Sequence, residues 1–145
     1  MTFFNLVAAE LPSVYKELTN VGGGGGGSAS LLITDAQEKP FESQILFDFC
    51  PQGKRHGADL EQLSGGEQTI AALSFVFALA KVKKPPMVLL DEVDAFLDVE
   101  NVNLLANFLK RQHSLSNAQS QTLVTTHKEC LAEQTQSLIG VCLLK

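Results

Sequence analysis

Two short stretches, "MVLL" at Met87–Leu90 and "TLVTT" at Thr122–Thr126, constrain the fold more than any other part of this 145-residue chain. Neither shows the polar alternation of a half-exposed strand, and continuous runs of this kind belong to strands covered on both faces. Between them "NVNLLANFLKRQ", Asn101–Gln112, has helical periodicity, and after them come a short helical stretch, "KECLAEQ", and a further apolar run, "SLIGVCLL", Ser137–Leu144. Strand, helix, strand, helix, strand predicts an α/β fold with a mostly parallel sheet and flanking helices.

Upstream of this unit the pattern is different. Phe3, Phe4, Val7, Leu11, Val14, Tyr15 and Leu18 recur at three-and-four spacing, which predicts an amphipathic helix, kinked or broken at Pro12. Gly22–Gly27 is an unbroken glycine run, and no regular element favours it, so residues 20–29 are expected to form a flexible loop. "SASLLIT" and "QILFDFC", with Ile45, Phe47 and Phe49 on one face, predict two strands around the polar turn "DAQEKPFES". The stretch from Ile70 to Ala80 leaves little polar face, so it predicts a helix buried on most sides and stopped by Pro85 and Pro86.

With 45% apolar residues the chain can fill one core, and residues 1–145 are expected to form one unit. No stretch reaches the ~18 uninterrupted apolar residues of a membrane span, and the start "MTFFNLVAAE" has no secretory pattern. Cys50, Cys130 and Cys142 are odd in number and form no Cys-x-x-Cys pair, which predicts a reducing, intracellular setting without a disulfide framework. A net charge of −5 excludes bulk electrostatic attraction to nucleic acid. Two local basic clusters, Lys54 with Arg55 and His56, and Lys81 with Lys83 and Lys84, read first as solvated surface turns.

The residues that carry chemistry lie in the second half. Asp91 and Glu92 follow "MVLL" at the carboxyl end of the expected strand, where open parallel sheets place their ligands. Adjacent carboxylates there can divide labour, Asp91 holding Mg²⁺ through water and Glu92 accepting a proton from an attacking water, although a solvated acidic turn is equally open. Asp98 reads as the N-cap of the following helix. His127, just past "TLVTT", could hydrogen-bond a terminal phosphate or be an ordinary loop histidine. A metal site with Cys130 has too few partners.

"LSGGEQ", Leu63–Gln68, combines a capping box at Ser64 and Glu67 with two glycines in the first helical turn, each costing about 1 kcal/mol against alanine. A helix N-terminus presents unpaired N–H groups, and glycine lets an anion approach them without a Cβ in the way. The phosphate loop that would hold a nucleotide is missing: Gly53-Lys54 is followed by Arg55, Asp48 stands where its first glycine belongs, and no lysine follows the glycine run. The chain cannot cradle a nucleoside triphosphate alone.

These motifs resemble a known family. "LSGGEQ" is similar to the signature motif of ATP-binding-cassette (ABC) ATPases, "MVLLDE" to their Walker B strand, "AFLD" to the D-loop and "TTHK" to the switch-histidine region, all in one order. "VYKELTN", "GGSASLLI", "GKR" followed by "LEQLSGGEQTIAAL", "PPMVLLDEVDAFLD" followed by "NVNLLANF", and "SLIGV" narrow the resemblance to the structural-maintenance-of-chromosomes (SMC) family, most like the first SMC subunit of cohesin. The resemblance implies the C-terminal lobe of an ABC-type P-loop NTPase head, with the P-loop lobe absent and contributed by a distant part of the sequence. A coiled-coil arm before Phe3 and a further element after Val141 are implied too, which makes a fragment the expectation.

Carried over residue by residue, the resemblance implies that Ser64, Gly65, Gly66 and Glu67 face the γ-phosphate of an ATP held by a second SMC head. It makes Glu92 the catalytic base, Asp91 the Mg²⁺ carboxylate, Asp98 an interface residue and His127 a neighbour of the γ-phosphate. The implied partners are the chain's own P-loop lobe, a second SMC head in a heterodimer, the C-terminal winged-helix domain of a kleisin, and DNA through the assembled complex, with no membrane. The implied setting is the nucleus and chromosome, and the implied role is sister-chromatid cohesion. Two rivals stay open: a nucleotide-binding domain of another ABC ATPase, in DNA repair or a transporter, and a non-catalytic fragment that binds kleisin or a partner head.

Overall fold

The computed structural model describes residues 2–34, 43–54, 60–115 and 120–141. Helix α1, Thr2–Leu18, is one element with Pro12 inside it, so the expected break does not occur. Pro12 lies on the exposed face, where the carbonyl it leaves without a donor can be solvated, while Val7, Leu11, Val14, Tyr15 and Leu18 form the buried stripe.

Strands β1, Ser28–Ile33, and β2, Ile45–Cys50, pair antiparallel with Ser28 opposite Cys50 and Ile33 opposite Ile45. The polar turn expected between them falls largely outside the described residues. Burial in β2 rises toward Cys50 and does not alternate, because α1 and α2 cover only that end: Tyr15 meets Phe49 at 5.1 Å and Phe47 meets Phe75 edge-on at 5.1 Å. The glycine run forms a one-turn 3-10 helix at Val21–Gly23 and then passes under α1. A Cβ on Gly27 would stand 2.6 Å from the Cys50 carbonyl and 2.7 Å from the Tyr15 ring, so glycine is a packing requirement there.

Helix α2, Gly65–Lys83, is buried through Ile70, Ala71, Leu73, Ser74, Phe77 and Ala78. Gln68, Ala72 and Val76 form its exposed line, close to the all-round burial expected. It ends as Lys84 turns left-handed at φ 50° and its N–H bonds the Ala80 carbonyl at 2.7 Å, just before the two prolines. Lys81 pairs with Glu10 at 3.7 Å and Lys83 sits 4.5 Å over the Phe3 ring, so these members of the basic cluster serve the α1–α2 contact. In the other cluster Lys54 pairs with Glu67, and Arg55 and His56 lie outside the described residues.

Strands β3, Met87–Asp91, and β4, Gln121–Thr125, pair in parallel, with helix α3, Val99–Leu115, as the crossover. Helix α4, Glu129–Ala132, follows. On the inner face Leu90 is buried, with Val88 and Val124 packed against the core that Val102, Leu105 and Phe108 of α3 help form. The outer face corrects two expectations. Met87, Leu89 and Leu123 are 49%, 67% and 50% exposed, so the pair is covered on one face only. The third strand is absent from residues 137–141, where Leu138, Ile139 and Val141 are exposed; Cys142–Leu144 lie outside the described residues. A strand exists only where a neighbour accepts its hydrogen bonds. The described residues therefore form an α/β fold with two two-stranded sheets, one antiparallel and one parallel, in place of a mostly parallel sheet.

Ser74 and Asp94 are the buried polar side chains among the described residues. Ser74 donates to the Ile70 carbonyl at 2.6 Å. Asp94 Oδ2 accepts the Thr126 hydroxyl at 2.5 Å, and Thr126 Oγ1 accepts the Lys128 N–H at 2.9 Å. The Lys128 ammonium then reaches the Leu97 carbonyl, so the segment after β3 is tied to the segment after β4. The Tyr15 hydroxyl is buried without a partner among the described residues; burial first, and then the neighbouring Glu67 and Cys50, push its pKa up to about 12.

Thr126→Val leaves the buried Asp94 carboxylate short of its hydroxyl donor and is expected to cost about 1–3 kcal/mol, read as a lower denaturant midpoint with an unchanged slope. A second outcome concerns Glu67. Burial pushes its carboxyl up, but hydrogen bonds from Lys54 and Ser64 outweigh that and hold it below the ordinary glutamate value. A depressed acid contributes stability above its unfolded pKa and loses it as pH falls through the folded one. The midpoint advantage of the wild type over Glu67→Gln is therefore expected to persist above about pH 5 and shrink at lower pH.

Candidate functional site

The site is built at the N-terminus of α2 and at the carboxyl ends of β3 and β4. Ser64 caps α2 with extended backbone, φ −63° and ψ 159°. Its Oγ accepts the Glu67 N–H at 3.3 Å, and Glu67 Oε2 accepts the Ser64 N–H at 2.8 Å, completing the expected capping box. The Lys54 ammonium adds a 2.7 Å bond to the same Glu67 oxygen. As a cap, Ser64 spends an acceptor position, which leaves its O–H to donate outward.

The first intrahelical bond is Gln68 N–H to the Ser64 carbonyl at 2.9 Å, so the N–H groups of Gly65 and Gly66 precede the ladder. The two glycines then part company. A Cβ on Gly65 would meet open space, as a residue facing an incoming anion requires. A Cβ on Gly66 would stand 3.1 Å from the Phe96 carbonyl. Gly66 thus serves contact with the 93–98 turn as well as exposure of backbone.

At the other end of the site, the parallel register sets Thr125 level with Asp91. Glu92, the next residue, has φ 47°, a left-handed conformation that costs a non-glycine residue about 1–3 kcal/mol. Its N–H is held by both the Thr125 carbonyl and the Thr125 hydroxyl, each at 3.1 Å. The Thr125 hydroxyl in turn donates to Asp91 Oδ1. Glu92 Oε1 lies 3.0 Å from His127 Nε2, with both side chains open to solvent.

Asp98 accepts the Asn101 N–H at 2.8 Å and caps α3, as read from the sequence. Asp91, Glu92 and His127 are therefore brought together; Ser64, Gly65, Gly66 and Glu67 form a separate group that touches the 93–98 turn through Phe96. Thr125, Thr126, Asp94 and Lys128 escaped the sequence reading. Their signal was the doubled threonine at a strand end facing a doubled acid, a pattern that needs the strand register to be interpreted.

Among the described residues no cluster of three or more His, Cys, Asp or Glu could by itself enclose a metal ion. One carboxylate at a strand end still fits Mg²⁺, which keeps several waters and takes one or two carboxylates beside substrate phosphates. Open Gly65 and the outward Ser64 hydroxyl fit a phosphate.

The chain as a whole is similar to known proteins. Residues 33–145 match the model of the RecF/RecN/SMC N terminal domain family. The chain is 39% identical over 141 residues, 97% of its length, to the chromosome partition protein Smc of Methanocaldococcus jannaschii. It is 36% identical over 138 residues, 95% of its length, to structural maintenance of chromosomes protein 1 of Schizosaccharomyces pombe. It spans 11% of the length of each relative. A solved structure, from work on ATP-driven dimerization and DNA stimulated activation of SMC ATPases, superposes with a TM-score of 0.84 at 30% identity, covering 99% of this chain and 81% of that one. The chain belongs to the RecF/RecN/SMC family, and its α/β fold resembles that of an SMC ATPase head.

Proposed function

We propose that this chain is the C-terminal lobe of an SMC head and supplies the signature loop, the Walker B carboxylates and the D-loop to a composite ATPase that organises chromosomes. The observation that carries the reading is the pairing at the ends of β3 and β4, where Asp91 and Glu92 meet Thr125 and His127. The open signature helix start at Gly65 supports it from the other side.

Glu92 takes the proton of the attacking water, and its bond to His127 restricts the direction in which the carboxylate can face. Mg²⁺, held through Asp91, would neutralise the charge gathering on the phosphate oxygens. The Ser64 hydroxyl and the leading N–H groups of α2 serve the γ-phosphate of an ATP carried by a second head. Asp98, besides capping α3, faces that second head. Positioning supplies most of the acceleration, because phosphoryl transfer asks the protein for little covalent chemistry.

The partners follow from what the lobe leaves open. Its own P-loop lobe covers the bare outer face of Met87, Leu89 and Leu123. The second head closes on α2. A kleisin winged-helix domain binds the head, as the C-winged helix domain of ScpA binds a related SmcHead. DNA is engaged by the assembled complex. Within the chromosome-organising SMC proteins we propose that the chain acts in cohesin, in the nucleus, a reading that its motif resemblance supports.

In the reconstituted head pair, Glu92→Gln is expected to lower ATP turnover by about 100-fold or more while leaving ATP-dependent head engagement intact; unchanged hydrolysis removes Glu92 from its role. Ser64→Arg places a long side chain where the γ-phosphate must approach. It is expected to abolish nucleotide-dependent dimerisation in size-exclusion or light-scattering measurements, and normal dimerisation overturns the signature assignment.

A further inference from the structure

We propose that Thr125 is a positioning residue for the ATPase chemistry, a single hydroxyl that orients both Walker B carboxylates of this chain; the inference rests on the roles proposed above for Asp91 and Glu92. Alternation along the parallel pair puts Met87, Leu89 and Asp91 on one face with Gln121, Leu123 and Thr125, the face left uncovered. Thr125 is thus the side chain level with Asp91 on the side where an ATP-bearing lobe would dock.

A threonine hydroxyl has one proton to give and can accept in return. The proton goes to Asp91 Oδ1. The Oγ1 lone pair accepts the Glu92 N–H at 3.1 Å. The donation occupies one oxygen of the exposed Asp91 side chain and leaves the other to accept from a metal-bound water. The acceptance shares the Glu92 N–H with the Thr125 carbonyl, also at 3.1 Å, and so helps hold the Glu92 backbone in its left-handed conformation at φ 47°, which sets where the Glu92 side chain starts. From there Glu92 Oε1 reaches His127 Nε2 at 3.0 Å. The hydroxyl therefore acts on the Asp91 side chain and on the Glu92 backbone at once, without touching the reacting atoms.

Partners of this kind around a metal carboxylate typically cost about 10–100-fold in metal affinity or activity when removed. The test uses the full-length protein assembled with its partner head and compares Thr125→Val, which keeps the β-branched shape, with Thr125→Ser, which keeps the hydroxyl. Two quantities are read: kcat against KM for ATP, and the Mg²⁺ concentration giving half-maximal ATP-dependent engagement, the latter in a Glu92→Gln background where turnover plays no part. The expected result for Thr125→Val is a kcat lower by about 10-fold with KM for ATP little changed, and a Mg²⁺ requirement higher by about 10-fold. Thr125→Ser is expected to restore both to within about twofold of the wild type.

Thr125→Val with wild-type kcat and wild-type Mg²⁺ dependence overturns the inference. So does an equal fall in both variants together with a lowered unfolding midpoint, which assigns Thr125 to packing. Glu92→Gln separates the levels. If it abolishes turnover while Thr125→Val is silent, only the inference falls; if it hydrolyses ATP normally, the catalytic reading falls and takes the inference with it.

Discussion

The parallel register of β3 on β4 is the constraint from which the site follows. Asp91 opposite Thr125 is a consequence of five residues pairing in step from Met87 with Gln121, and a slip of one residue would turn every side chain of a strand to the other face. Slippage is resisted on the inner side, where Leu90 is buried and Val124 packs against the same core as Val102, Leu105 and Phe108. The hydrophobic contact inside thereby determines which polar groups meet outside.

A second linkage runs between the two halves of the site. The turn after β3 carries Phe96, whose carbonyl lies against Gly66, and Asp94, which is clasped by Thr126. Lys128 closes the arrangement on the Leu97 carbonyl. The start of α2, the 93–98 turn and the segment after β4 are therefore in mechanical contact through backbone groups and one buried carboxylate. The exposed pair of Glu92 and His127 adds orientation to this frame more than stability, since both side chains are solvated.

Local chemistry was legible where it is local. The capping box of Ser64 and Glu67, the N-cap at Asp98 and the end of α2 before Pro85 and Pro86 depend on residues a few positions apart, and each is present, as are the two strands flanking 35–42. Pro12, read from the sequence as a kink or a break, does not break α1, and it lies on the exposed face, where the carbonyl left without a donor can be solvated. The double burial expected for "MVLL" was misread for a related reason. Apolar content states what a strand can tolerate on each face, and here one face lies bare. The roles of Thr125 and Thr126 were invisible, since their partners are 34 and 32 positions away along the chain.

The sequence by itself determined the helices and strands as far as α4, their order, the capped start of α2 and the family, because helix caps, hydrophobic period and ordered motifs are written in short spans. Only the tertiary structure decided which face of β3 and β4 stays open, that Gly66 lies close against the Phe96 carbonyl while Gly65 faces free space, and that one threonine hydroxyl bonds both the Asp91 carboxylate and the Glu92 N–H. These are facts of register and close approach between segments far apart in the chain, and they come into being when the inner face of the strand pair packs on α3.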